Sequence, residues 1–171
     1  MRQRQGSRAA AEREAVLLGL KAGILFLLSL FLLRIVFGAV QMSDQAMSPS
    51  LKEGDLVLFC RIRPDPARDD VIAVQTAEGI QIRRVAASAG DTVSITEEGL
   101  LINGYLQQEP GIQGPTMPYQ EGITFPVTLQ EGQVFVLADD RRQAEDSRIY
   151  GPVNRSAVLG KVIGLIRRRN L

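Results

Sequence analysis

The 171-residue chain has no histidine, no tryptophan and one cysteine, and its aromatic residues are three Tyr and six Phe. Without an imidazole there is no Ser-His-Asp arrangement and no His-ligated metal. With Cys60 alone, an intramolecular disulfide and a CxxC metal pair are both excluded. A net charge of +1, from 20 Lys+Arg against 19 Asp+Glu, together with so few stacking platforms, argues against a nucleic-acid partner. What remains is an ordinary folded composition, 45% hydrophobic and 23% charged, at a length that suits one domain.

The apolar residues are concentrated near the amino terminus. Residues 15–40, AVLLGLKAGILFLLSLFLLRIVFGAV, are interrupted only by Lys21 and Arg34. Roughly 20 apolar residues cross a bilayer core, and both charges lie near enough to an end for their stems to reach the headgroups. Between Ile24 and Leu33 the only polar residue is Ser29, so the run lacks the polar face of a core helix. A cleaved secretory signal has a shorter apolar region, typically about 7 to 15 residues, and ends at small residues rather than at Arg34-Ile-Val-Phe. The run is therefore expected to be a transmembrane helix behind a cytoplasmic tail of residues 1–14. Arg2, Arg4, Arg8, Arg13 and Lys21 precede or open the run and predict a cytoplasmic amino terminus. Residues 41–171 are then extracytoplasmic. With six basic and two acidic residues assigned to the preceding segment, they hold 14 Lys+Arg and 17 Asp+Glu, a charge of −3.

That outer segment has no long helical period. It shows short β-branched runs between turn signals: LVLFC, VIAV, IQIRRVA, DTVSI, LLING, TFPVTL, QVFVL and VLGKVIGLI. With Gly90-Asp91 and Asn103-Gly104 as turns, the expectation is a mostly β, antiparallel domain, closed or sandwiched. Residues 109–122, with three Pro and three Gly, read as an exposed excursion. The tail Arg167-Arg168-Arg169 reads as a basic patch for anionic lipid or as a solvated end.

Four stretches, in order, resemble bacterial type I signal peptidases, membrane-anchored serine endopeptidases that remove signal peptides from exported proteins. Residues 46–55, AMSPSLKEGD, are similar to the family's Ser-Met-x-Pro-Thr/Ser-Leu-x-x-Gly-Asp. Residues 68–74, RDDVIAV, resemble its Arg-Gly-Asp strand. Residues 82–85, IRRV, with Gly90-Asp91-Thr92-Val93, resemble Ile-Lys-Arg-Val and Gly-Asp-x-Val, and Ile102-Asn103-Gly104 stands at the expected distance. Residues 135–141, FVLADDR, then Asp146-Ser147-Arg148, Tyr150-Gly151-Pro152-Val153 and Gly160-Lys161, resemble the last block. The likeness spans residues 15–165 and implies the family's fold: a signal-peptidase-like antiparallel β-domain behind one transmembrane helix.

The resemblance implies a Ser nucleophile and a neutral Lys base, and the chain departs from both. The nucleophile position holds Ala46 and the base position Arg83. A methyl group cannot attack a carbonyl, and a guanidinium does not give up its proton in proteins. The position that orients the Lys is Ala144, and the oxyanion-side position is Asp44. A carboxylate there opposes the developing negative charge, while the backbone N–H of Ala46 remains able to donate. Ser43 and Ser48 are neighbouring hydroxyls with no activating base assigned. Asp139, Asp140, Arg141, Asp146 and Arg148 are expected to form a polar brace, with Ser147 a structural hydroxyl inside it. Met47, Pro49, Leu51, Ile82 and Val85 match positions that wall an apolar groove for an extended peptide, and equally suit a β core. Cys60 is expected to be core.

The expectation is thus a catalytically silent relative that binds exported or anchored precursors and assists their assembly. In this it resembles the inactive signal-peptidase-like proteins found beside sortases and pilins in Gram-positive bacteria, which aid pilus assembly. No cofactor or metal is implied. The other reading is a working signal peptidase I. A deliberate knockout explains Ala46 and Arg83 but not Asp44 and Ala144.

Overall fold

The computed structural model describes residues 2–62, 66–142 and 144–167, with side chains from Arg13 onward. The chain divides into two compact units, the first ending at Val36 and the second beginning at Phe37.

The first unit is one helix, α1 (Arg2–Val36). Its segment Arg13–Val36, 24 residues with a mean hydropathy of 2.5, is unburied along its whole length. At about 1.5 Å per residue it exceeds the roughly 30 Å of a bilayer core. By length and composition it fits a single-pass membrane anchor. The expected span of residues 15–40 ends four residues too late, because Phe37–Gln41 forms strand β1. Hydropathy cannot separate these cases, since a lipid-facing turn and a strand both take Phe, Ala and Val. Gly38 marks the difference: a Cβ there would lie 2.2 Å from Cζ of Phe59, so the strand pairing requires a residue without a side chain.

The second unit is built from two antiparallel sheets. β1 pairs with β2 (Leu56–Cys60), which pairs with β11 (Val158–Ile166), and the sheet continues through β3 (Val71–Thr76), β4 (Gly79–Ser88), β9 (Gln133–Leu137) and β10 (Val153–Asn154). The smaller sheet runs in the order β7 (Tyr105–Leu106), β6 (Gly99–Ile102), β5 (Thr92–Thr96), β8 (Val127–Thr128). A short helix, α2 (Ser147–Tyr150), comes after β9. The β-rich runs of the sequence are the strands, with two kinds of difference. TFPVTL supplies only Val127–Thr128, since Pro126 has no N–H to give a ladder. β1, β7 and β10 carry no separate sequence signal. Asn103 and Gly104, at φ 55° and 83°, make the two-residue turn that sets Ile102 opposite Tyr105.

The unbroken apolar run of β3 follows from burial on both faces: Ile72 and Val74 pack with Val85, Val134 and Val136, while Ala73 packs oppositely with Met47, Leu51, Phe59 and Ile82. A third cluster, including Val93, Leu100, Phe135 and Leu137, joins the two sheets. These contacts hold β4 rigidly, and its Arg83 stands in register with Ile72.

The basic tail is not simply solvated. Arg167 grips the buried Asp55, with Nη2 at 2.6 Å from Oδ2 and Nε at 3.0 Å from Oδ1. Arg168 and Arg169 lie outside the described residues. The Arg167 hydrogen bond holds the Asp55 carboxyl below the usual carboxylate range; burial opposes this, and the Lys52 N–H reinforces it. A depressed carboxyl stabilises the fold above the ordinary Asp pKa, about 3.9, and that contribution disappears as pH falls through the lower folded value. Asp55→Asn therefore lowers stability at neutral pH and flattens the loss of stability below about pH 4, measured as denaturation midpoints by circular dichroism.

Candidate functional site

Met47 and Leu51 are buried, and between them the chain turns, with Leu51 N–H donating to the Met47 carbonyl at 2.8 Å. Anchored there, the preceding residues are fixed. The Ala46 carbonyl accepts the Asp140 N–H at 2.8 Å, fastening the turn to the loop after β9. The Ala46 N–H donates to Asp44 Oδ1 at 3.1 Å. This corrects the expectation of an available donor, because the carboxylate two residues earlier is within reach and occupies it. An incoming carbonyl oxygen meets an anion at this point.

Arg83 brings its guanidinium to the other oxygen of the same carboxylate, Nη2 to Asp44 Oδ2 at 3.4 Å. Its Nε donates to the Glu145 carbonyl at 2.9 Å and Nη1 to the Ile82 carbonyl at 2.7 Å. The Arg83 side chain is 2% exposed and that of Asp44 42%. Ala144 is held through its backbone, whose N–H and carbonyl both lie 3.1 Å from the Tyr119 hydroxyl. Asp44, Ala46, Arg83 and Ala144 line one cavity of about 420 Å³ with Gln81 and Asp140. Four positions singled out over a hundred residues of sequence thus converge on one cleft. At those positions it contains two methyl groups, a guanidinium and the carboxylate paired with it.

Ser43 is exposed and does not line this cavity. Ser48 lines a different one, of about 580 Å³, which it shares with Lys52.

The residues of the expected brace fall into four ion pairs, two of which are joined where Arg148 donates to the Arg141 carbonyl. Asp146 and Arg148 are buried and paired bidentately, at 2.9 and 2.8 Å. Asp146 also accepts the Ala138 N–H, and Arg148 reaches the Arg141 carbonyl at 2.9 Å and lies 4.5 Å over the Tyr119 ring. Ser147 accepts the Val136 N–H at 3.0 Å, the structural hydroxyl expected. Arg141 pairs not with Asp139 but with Glu109, at 2.7 Å, and with Thr116 at 2.7 Å. Segment 109–122 is largely exposed or half-buried, as expected, and is pinned to Arg141 at Glu109 and at the buried Thr116. Asp139 takes the forked end of Arg84, both bonds 2.7 Å, and the Ser50 hydroxyl at 2.8 Å. The Asp139 bond raises Arg84 above arginine's usual range. Asp140 pairs at the rim with exposed Arg142, which holds its carboxyl low.

The five groove residues do not share one wall. Met47, Leu51 and Ile82 belong to one interior cluster and Val85 to another, while Pro49 is exposed. None of them lines the 420 Å³ cavity. Alternation in a sheet buried on both faces sends Ile82 and Val85, three apart, to opposite sides. Cys60 is half-buried at the end of β2 rather than fully in the core. Sequence reasoning missed Glu78, Gln81 and Glu145, which line the cleft near Arg83. Only the position of Gln81, two residues before Arg83 and so on its face of a strand, offered a signal. Glu145 is raised above the ordinary glutamate range, first by a hydrogen bond with Glu78.

With the geometry in hand, comparison identifies the class. The family model described as signal peptidase, peptidase S26, matches residues 16–166. The chain belongs to this family. Signal peptidase I of Leptolyngbya laminosa is 29% identical over 154 residues, 82% of this chain and 74% of that protein. The plasmid transfer protein TraF of Escherichia coli is 31% identical over 86 residues, covering 47% of this chain and 48% of TraF. The crystal structure of a signal peptidase I from Enterococcus faecalis superposes with a TM-score of 0.47 at 26% identity, over 58% of this chain and 97% of that one.

Breaking the buried Asp146–Arg148 pair from one side leaves an uncompensated charge. Asp146→Ala is expected to lose about 3–5 kcal/mol in chemical denaturation, whereas Asp140→Ala at the rim loses at most about 1 kcal/mol.

Proposed function

We propose that this chain is a membrane-anchored, catalytically silent member of the signal peptidase family, with its amino terminus in the cytoplasm and the β unit outside. It holds extended segments of exported or surface-protein precursors without cutting them and assists their assembly. The observation that carries the reading is the closed circuit of Asp44, Ala46 and Arg83, in which the family's nucleophile and base positions hold Ala and Arg, and the Ala46 N–H and Arg83 Nη2 meet one carboxylate.

Binding has support of its own. β3 pairs with β4 along residues 79–84 and β9 takes over from Arg84, so the far edge of residues 79–83 has no strand partner among the described residues. That edge passes Gln81 and Arg83, which line the cleft. An extended peptide adds to such an edge by main-chain hydrogen bonds, which need no nucleophile. The family acts on exported precursor peptides, and a relative named for plasmid transfer is consistent with assembly of surface structures, pili among them, beside a pilin or a sortase.

Sharing of one cavity by Ser48 and Lys52 favours a second reading, a peptidase with a relocated pair. Lys52 is exposed, however, not enclosed as a lysine base is.

The full chain in neutral micelles is expected to bind a signal-peptide substrate by fluorescence anisotropy and to leave it intact. Ala46→Ser, Arg83→Lys, Asp44→Ser and Ala144→Ser together are expected to raise cleavage at least about a thousandfold, part of the roughly million-fold that a nucleophile carries. Cleavage by the unaltered chain that survives Ser43→Ala and Ser48→Ala overturns the reading. Cleavage abolished by Ser48→Ala or Lys52→Ala selects the relocated pair.

A further inference from the structure

Arg83 changes what the open edge of β4 offers. The Val85 N–H donates to the Asp70 carbonyl at 2.8 Å and the Val85 carbonyl accepts the Asp69 N–H at 2.9 Å, so position 85 faces the β3 side. Hydrogen-bonding direction alternates along an antiparallel strand, which turns the N–H and C=O of Ile80 and Ile82 to the open edge. There the Ile82 carbonyl is already taken, by Arg83 Nη1 at 2.7 Å. The guanidinium thus caps the edge and extends it by one donor, Nη2. Nη2 and the Ala46 N–H then converge on one acceptor, the Asp44 carboxylate, at 3.4 and 3.1 Å. A strand added at this edge brings main-chain carbonyls that need donors of the same kind. The pair that stands in their way is unevenly held. Arg83 is 2% exposed and is anchored by the Glu145 and Ile82 carbonyls, whereas Asp44 is 42% exposed and its carboxylate accepts from no further group among the described residues. Their 3.4 Å is long for a charge-assisted hydrogen bond; the Arg84–Asp139, Arg141–Glu109 and Arg148–Asp146 pairs measure 2.7, 2.7 and 2.8 Å. A half-exposed ion pair of this length gives up little on parting.

We propose that Asp44 is an autoinhibitory latch on the cleft: its carboxylate stands where a main-chain carbonyl of the bound segment belongs, and a segment seats only when that carboxylate swings out to solvent. The segment's carbonyl then takes both released donors, the Ala46 N–H and Arg83 Nη2. Arg83 keeps its place through the two backbone carbonyls, so one short side chain is all that moves. Opening leaves the buried guanidinium without its counter-charge until the segment's carbonyl arrives, which favours the closed form in the empty chain. The inference rests on the peptide-binding reading and adds its regulation: the apparent affinity for a segment is that of the open cleft reduced by the fraction of chains that are open.

The test compares the full chain with its Asp44→Ala variant in neutral maltoside micelles, with a fluorescein-labelled signal-peptide substrate as probe. Asp44→Ala is expected to bind the probe about tenfold more tightly, since opening parts one loose ion pair and one hydrogen bond. Glu53→Gln removes a nearby exposed carboxylate that does not line this cleft, and is expected to bind as the unaltered chain does. Equal or weaker binding by Asp44→Ala, or an equal gain in Glu53→Gln, overturns the latch and leaves peptide binding standing. Binding by Asp44→Ala alone supports the latch; binding by neither chain overturns the peptide reading and the latch with it. If circular dichroism shows that Asp44→Ala has not folded, the comparison moves to the Arg83→Met background, where the same substitution strands no cation. A gain of about threefold or more is expected there, and no gain overturns the latch. Hydrogen exchange supplies the local readout. The Ala46 N–H is expected to exchange faster in Asp44→Ala and to slow again with the probe bound; a rate that the bound probe leaves unchanged overturns the place given to the segment's carbonyl.

Discussion

A guanidinium does not shed its charge, and among the described residues this domain buries three of them: Arg83, Arg141 and Arg148, at 1%, 4% and 1% exposure. Each has to find acceptors inside, and the search shapes the loops. Arg148 draws Asp146, the Arg141 carbonyl and the Tyr119 ring together; Arg141 reaches Glu109 and Thr116 in segment 109–122; Arg83 takes Asp44 and the carbonyls of Ile82 and Glu145. The sheets supply rigidity through apolar packing. These cations hold the loops between residues 105 and 150 at Glu109, Thr116, Tyr119, Glu145 and Asp146.

Arg83 and Asp44 are coupled by that same necessity. With arginine on the interior side of β4, an anion near position 44 supplies what the two backbone carbonyls cannot, a counter-charge. Once there, its second oxygen is close enough to collect the Ala46 N–H. The proposed silence of the cleft thus has two physical parts, lost groups and a misplaced charge, and the second follows from the first.

The sequence was most informative where burial was strongest. The strands β2, β3, β4, β9 and β11 were legible because β-branched residues on both faces of a covered sheet leave continuous apolar runs. Ala46, Arg83, Asp44 and Ala144 were singled out by the resemblance to the family's motifs, and they meet in one cavity. Boundaries were not: apolar residues 37–40 suit lipid and strand alike, and only Phe59, packed against Gly38, decides between them. Nor were the partners of the brace, since the choice of Glu109 for Arg141 and Asp139 for Arg84 depends on where a loop returns, a long-range fact with no local pattern. The groove residues were ambiguous for a similar reason, as apolar alternation looks the same whether a side chain faces a ligand or another strand.

The shared carboxylate also constrains history. Under the proposed reading, Asp44→Ser alone strands a buried cation, Arg83→Lys alone gives an amine that Asp44 keeps charged, and Ala46→Ser alone adds a hydroxyl with nothing to deprotonate it. Every single reversion leads to a chain that is weaker or no more reactive, so drift back toward hydrolysis has no downhill first step. If the proposed silence holds, a lineage that acquired this pair left catalysis through a gate that closes behind it.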